Sequence, residues 1–528
     1  MKKFKILGTA LALAFSFTSC EDFLDTVPDN RTELNSVDKV TKLLVSAYPL
    51  SYPMLMWELA SDNAMDNGKM YDIETQTVED AYLWNDVRTE TDDDSPQGLW
   101  DRCYMAISSA NHALQAIEQM GDGEAWNAQK GEALLCRAYA HFLLANTFCE
   151  AYNPQTAGSK LGIPYVTKPE TEVAPLYTRG TLQEVYEKIE ADILKGLPLI
   201  DDNLYSVPKY HFNKKAANAF AARFYLFYVQ EDKSNYEKVL QYGEQVLGKS
   251  PYNVLRHYQE ELGSFNSISN IADAYINVKS AANLLITPVY SSWPYIYGPY
   301  NLSKRYGMSN TITRSETLWA NGVWGSAGTT FYNSLFGNEQ KRSFVKYGMY
   351  FEYTDKVNGI GYRHAVVVPF TTDETLMCCA EAFVMKAQPD YAKAVEYMNY
   401  WIDSHKGDGS YGDPEHVTEE SVVEYYQKIN YTPVPVTDDS QRTVKRQLNP
   451  PLGFVDDKQE NFMHCILQMR RIELIHGGER WLDIKRYNIE ISHNRDGLSP
   501  DVLKKDDLRR AMQLPQDVIG AGLEANPR

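Results

Sequence analysis

The sequence predicts a mainly α fold in which degenerate tetratricopeptide-like helical hairpins scaffold a loop-rich, aromatic-rich binding region. Three observations carry that expectation. Apolar residues recur at helical spacing through two adjacent segments: Trp100, Tyr104, Ile107, Ala110, Leu114 and Ile117, then Leu134, Leu135, Ala138, Tyr139, Phe142 and Leu143, with Gly121-Asp122-Gly123 turning the chain between them. Farther on, Tyr236, Lys238 and Tyr242 are matched at the same spacing by Tyr391, Lys393 and Tyr397, each set following an Ala-rich or aromatic helical stretch (216–229 and 376–386). Between these stretches, residues 286–336 hold eleven aromatics, among them Tyr290, Tyr295, Tyr300, Phe331, Tyr332 and Phe336, while Pro288, Pro294 and Pro299 interrupt any helix.

Taken in order, the chain opens on an address. Lys2, Lys3 and Lys5 precede an apolar run from Ile6 to Phe17, too short to span a bilayer, and Thr18-Ser19-Cys20 forms a small-residue processing site. Residues 1–19 thus resemble a bacterial lipoprotein signal peptide, with Cys20 as the lipidated residue of the mature chain. Residues 20–35 read as an acidic tether carrying Glu21, Asp22 and Asp25, and 36–528 as one domain, with a helical-repeat core at 36–260 and 370–490 and a loop-rich region at 261–369. Within it, Ser36 to Tyr48 reads as a first helix, Trp100 opens a long one, Ala125 to Phe148 forms its antiparallel partner, and Val417 to Ile429 gives another. The Val366-Val367-Val368 run predicts short extended pairing, and the Asp92-Asp93-Asp94 run a solvated surface loop.

Composition excludes several classes. The net charge of −18 becomes −21 once the three leader lysines are removed, a balance that disfavours nucleic acid and anionic membrane surfaces. Apart from Cys20, the cysteines (Cys103, Cys136, Cys149, Cys378, Cys379 and Cys465) form no CxxC pair and no zinc spacing, so burial is expected. Cys136 and Cys149 on one helix stand roughly 20 Å apart and cannot bridge. No GxSxG, HExxH, phosphate-binding glycine loop or dinucleotide fingerprint occurs, so no catalytic residue and no cofactor is assigned. His476 and Glu479 are spaced i, i+3, but two ligands do not make a metal site.

The densest motif is Met469 to Asn488, where Ile472, Leu474 and Ile475 precede a Gly477-Gly478 break and Trp481, Leu482 and Ile484 resume the apolar face. Its interleaved Arg470, Arg471, Glu473, Arg480, Asp483 and Arg486 are expected as buried ion pairs that fix helix packing. The motif resembles the signature of the SusD-like (RagB/SusD) family of outer-membrane nutrient-binding lipoproteins. So do Trp100…Tyr104…Ile107…Asn111, Gly131-Glu132-Ala133…Arg137-Ala138-Tyr139, Gly162-Ile163-Pro164 and Arg179-Gly180-Thr181…Val185-Tyr186. The resemblance implies a cell-surface lipoprotein without catalytic activity, anchored in the outer membrane through Cys20. It would capture a glycan and deliver it to a SusC-like TonB-dependent transporter.

A pyranose offers a face of C–H groups to flat rings and a rim of hydroxyls to amides and charges. From the family's loop placement, Trp84, Trp293, Tyr297, Trp319 and Trp324 are the stacking candidates, and Asn63, Asn85 and Arg314 the hydroxyl-binding candidates. The alternative is a lipid-anchored helical-repeat assembly or peptide-binding protein with no glycan ligand, its aromatics packing a protein interface.

Overall fold

The computed structural model describes residues 34–88, 92–171, 175–331 and 335–528. The leader, Cys20 and nearly all of the acidic tether lie outside the described residues, as does Tyr332.

Helices dominate, in chain order α1 (Val37–Leu44), α2 (Met54–Ala60), α3 (Pro96–Gln119), α4 (Asn127–Phe148), α5 (Leu182–Gly196), α6 (Lys214–Phe227) and α7 (Asn235–Leu247). After the loop-rich region come α8 (Thr372–Met385), α9 (Tyr391–Ser404), α10 (Asp457–Glu473) and α11 (Glu479–Arg486). The predicted helices lie where expected, with one instructive difference. α3 begins four residues before Trp100, because Ser95 caps it by accepting from the Gly98 amide and Pro96 occupies its first turn, where a missing N–H costs nothing.

Small residues let the hairpins close. α4 and α5 cross at Gly131 and Gly196, where a Cβ on either would stand 2.8 or 2.9 Å from the other's carbonyl oxygen. Both repeats seat their second tyrosine on the preceding helix, in different geometries: Tyr242 of α7 stacks on Tyr225 of α6 at 5.5 Å, and Tyr397 of α9 meets Phe383 of α8 edge-on at 5.1 Å. Phe142 at the hub of α4 meets Phe220, Phe224 and Phe227 edge-on, so aromatic side chains fill the groove between hairpins. The six described cysteines are buried and free.

The motif at 469–488 occupies the centre. α10 and α11 are joined by a turn in which His476 (φ 68°) and Gly478 (φ 92°) are left-handed. A side chain at Gly478 would stand 2.9 Å from the Trp57 Cβ of α2. The charged residues are buried ion pairs, as expected. Arg470 meets Asp483 at 3.2 Å, Arg480 meets Asp62 at 2.8 Å, Arg486 meets Glu381 at 2.6 Å, and Arg471 reaches both Glu316 at 2.8 Å and Asp62 at 3.3 Å. Glu473 accepts from the Tyr258 hydroxyl and the Trp401 indole at 2.8 and 3.1 Å. His476 and Glu479 do not converge: the Phe344 amide donates to His476, and Tyr52 donates to Glu479.

Strands are few. β1 (Met65–Asp66) pairs with β3 (Tyr306–Gly307), and β4 (Phe336–Gly337) with β5 (Arg342–Ser343). β2 (Asn283–Val289), β7 (Ile360–Thr371) and β6 (Tyr350–Asp355) form an antiparallel sheet in the order β2-β7-β6, where the valine run predicted extended pairing. β8 (Ile491–Arg495) and β9 (Leu498–Leu503) make a hairpin near the C-terminus.

Candidate functional site

Two passages more than two hundred residues apart are zipped into one loop shell. Met65 opposes Gly307 and Asp66 opposes Tyr306, and Asp72 bridges to Lys304. Asp66 holds this seam together: it accepts from Arg305 through two bonds of 2.7 Å, from the Gly68 amide at 2.8 Å and from the Asp496 amide at 3.0 Å. Burial alone would raise its carboxyl, but the Arg305 and backbone hydrogen bonds outweigh it and hold it below the usual range.

Half-buried rings crowd the surface of this shell. Tyr290 meets Tyr362 of β7 edge-on at 4.8 Å, with the Arg102 guanidinium 4.9 Å from the Tyr290 ring. Tyr295 has Lys304 and Arg363 at 5.3 and 5.8 Å. Trp319 is half-buried, with Arg314 at 5.2 Å and Arg342 at 4.9 Å from its ring centroid. Each of these rings keeps part of its area in solvent and has polar groups beside it, the combination a sugar needs.

The shell is tied down from beneath. Buried Lys341, in the β4–β5 turn, donates to the carbonyls of Ile296 and Asn301, both at 2.7 Å, and burial lowers its ammonium to about 7. Asp94, expected in a solvated loop, is buried: it accepts from the Ser291 hydroxyl at 2.6 Å and the Ser292 amide at 2.8 Å. Burial pushes its carboxyl up to about 7, and neighbouring Asp92 and Asp93 add to the rise. The loop run was misjudged because Asp94 lies directly before the Ser95-Pro96 cap, where the chain turns inward.

Of the eight residues expected to touch ligand, five lie in the interior. Trp293 and Tyr297 are fully buried, and the Tyr297 hydroxyl donates to the Asn63 carbonyl at 2.9 Å. Trp324 packs edge-on against Trp401 at 5.3 Å. Trp84 stacks on His493 at 4.1 Å while its indole N–H donates to the Ala60 carbonyl. Asn63 is buried, and its side-chain oxygen accepts from Arg471 at 2.8 Å. None of these five presents a face to solvent; an aromatic in a loop buries itself when the loop packs inward. Asn85 is exposed but donates to Asp80 at 3.1 Å. Only Trp319 and Arg314 stand together at the surface. Tyr290, Tyr295 and Tyr362 were not singled out for contact, although the first two fall in the aromatic-rich stretch that marked the region.

A cavity of about 600 Å³ is built from other elements: Trp100 and Tyr104 of α3, Pro164, Tyr177 and the C-terminal Val518 and Leu523. Its lining is largely apolar, and Trp100, Tyr104 and Pro164 belong to motifs that carried the family resemblance. Among the described residues no three His, Cys, Asp or Glu side chains converge as metal ligands, and no helix is long and apolar enough to cross a membrane.

The fold, helical hairpins beneath a loop shell, is similar to that of solved SusD-superfamily proteins. A SusD-superfamily protein of Bacteroides thetaiotaomicron aligns over 93% of this chain and 99% of its own, at 18% identity and a TM-score of 0.60. One of Bacteroides vulgatus aligns over 93% and 99%, at 16% and 0.60. A SusD-like carbohydrate binding protein of Bacteroides vulgatus aligns over 89% of each chain, at 15% and 0.53. In sequence, residues 22–226 match a SusD-like family described as starch-binding and associating with the outer membrane. The resemblance read from the motifs therefore holds in sequence over the N-terminal part and in fold across the chain. No curated protein sequence matches it.

Proposed function

We propose that the protein is a lipid-anchored glycan-binding protein of the cell surface. It captures oligosaccharide or polysaccharide on the loop shell and passes it to a SusC-like TonB-dependent outer-membrane transporter docked on the helical hairpins. The observation that carries the reading is the set of half-exposed rings, Tyr290, Tyr295, Tyr362 and Trp319, edged by cationic donors and held on a helical scaffold. The family description and the carbohydrate-binding neighbour support the same chemistry. Anchoring would be through Cys20, with the acidic tether spacing the domain from the membrane. No catalytic role is proposed for any residue.

Each stacked ring contributes about 1–2 kcal/mol if it removes roughly 50–80 Å² of sugar C–H surface from water. Two or three rings then hold a chain with affinity on the order of micromolar to millimolar, and many anchored copies on one polymer add avidity.

The test is affinity electrophoresis of mature protein lacking Cys20 in gels containing neutral or acidic polysaccharides, beside a Trp319→Ala, Tyr295→Ala double variant. Retardation by a polymer, lost in the variant, is expected. If no polymer retards a folded protein, glycan capture is wrong and a protein or peptide partner takes its place.

A further inference from the structure

Resting on the glycan reading, we propose that the Trp319 corner of the shell binds the acidic groups of an anionic glycan, a uronate carboxylate or a sulfate, through Arg314 and Arg342.

Trp319 has two cations near its ring, brought by separate pieces of chain. Arg314 lies in the last turn of the short helix Asn310–Ser315, whose start Ser309 caps by accepting from the Ile312 amide. The Trp319 amide donates to the Thr313 carbonyl, which folds the indole back toward that helix. Arg342 arrives on β5, docked by its own amide on the Met308 carbonyl. With each guanidinium carbon within 5.2 Å of the same ring centroid, the two stand within about 10 Å of one another.

The charge balance at this corner is uneven. Glu339 is committed: it accepts from Arg342 at 3.2 Å and from the Asn310 side chain at 2.5 Å. Glu316, the next carboxylate along the chain, faces inward and is taken by Arg442, Arg446 and Arg471. Arg314 is exposed and has no ion-pair or hydrogen-bond acceptor among the described residues. Its five N–H donors are unspent, and the indole 5.2 Å away gives the guanidinium a cation–π neighbour.

That arrangement favours an anion over a neutral sugar ring. Arg314 and Arg342 beside the Trp319 ring add donors to a stacking platform, so the corner can meet charge as well as sugar C–H groups. A planar fork pairs with carboxylate or sulfate oxygens through two parallel bonds, whereas a hydroxyl uses one. On a chain of net charge −18, a cation pair with one carboxylate partner is a local inversion of sign, one that an anionic polymer has to find against the long-range field.

Matched polymers test this: polygalacturonate against its methyl-esterified form, and dextran sulfate against dextran, titrated into the mature protein by calorimetry. Arg314→Ala, Arg314→Lys and Arg342→Ala would be compared, with Lys356→Ala on the β6–β7 turn as a control for nonspecific polyanion binding. At least one charged polymer is expected to bind about tenfold or more tightly than its neutral partner. Arg314→Ala should erase that preference, Arg314→Lys should restore only part of it, and Lys356→Ala should leave it unchanged. Equal binding of charged and neutral partners, indifferent to Arg314, would overturn the anionic assignment and leave glycan capture standing. Equal losses in Arg314→Ala and Lys356→Ala would reduce the preference to nonspecific charge and overturn it as well. Binding of none of the four polymers would overturn both.

Discussion

The arginine motif of α10 and α11 and the loop shell above it both bury charge, but they satisfy it differently. In the motif, carboxylates meet guanidiniums. Burial would raise Asp62, yet Arg471, Arg480 and Arg446 hold it well below the usual range, and Glu473 is held at about 2 by His405, Lys346 and Tyr258 against the same burial. In the shell the Asp66–Arg305 pair repeats that pattern, but Asp94 and Lys341 are satisfied by a serine and by backbone groups, with no opposite charge in contact, and burial drives both toward about 7. The motif is thus a closed set of charges that fixes how helices sit. The shell keeps rings, free donors and titratable anchors, which suits a surface that changes with its ligand.

The largest expected effect breaks the closed set. Arg471→Ala leaves Asp62 and Glu316 short of one partner and removes the donor from which the Asn63 side-chain oxygen accepts. Removing one member of a buried ion network costs roughly 3–5 kcal/mol. Urea unfolding followed by circular dichroism should show a midpoint lowered to match. A loss under about 1 kcal/mol would mean the network relaxes around the gap and does not fix the helices.

Next, Trp293→Ala separates buried shell rings from surface ones. Trp293 is fully buried against Tyr347 and His476, so truncation should cost about 3–5 kcal/mol of stability as a cavity opens. Trp319→Ala, at a half-exposed site, should leave the unfolding midpoint close to that of the parent while reducing glycan retardation. Similar stability losses in the two variants would mean that Trp319 is a packing ring like Trp293.

Much of the fold was legible because the helices carry their own signals: apolar periodicity, the Gly turn before α4, and the Tyr-Lys-Tyr repeat that proved to place each second tyrosine on the preceding helix. The arginine motif was legible too, since alternating Arg and acid around a tryptophan has few solutions other than buried pairing. The site was less so. Trp293, Tyr297, Trp324 and Trp84 sit in the kind of loop that binds sugars, but whether a ring turns outward depends on long-range pairing such as β1 with β3, which local sequence does not encode. Asp94 shows the same limit, for its neighbours Ser291 and Ser292 lie nearly two hundred residues away.

A further expected effect is a change of slope with pH. Asp94 ionises near its ordinary value of 3.8 in the unfolded chain but only near about 7 in the fold. Between those values the unfolded chain releases a proton that the folded one keeps, so the Asp94 contribution falls as pH rises from about 4 to 7 and is level above that. Asp94→Asn cannot ionise. Its side-chain oxygen still accepts one of the two hydrogen bonds, and losing the other costs about 1 kcal/mol. The variant should therefore lie slightly below the parent near pH 4 and gain on it steadily toward pH 7, a crossing read from thermal midpoints of the two proteins in matched buffers. Every other titrating group is common to both proteins, so its slope cancels in the difference. Parallel curves would show that Asp94 ionises freely in the fold, and that this shell anchor is as well compensated as the arginine motif.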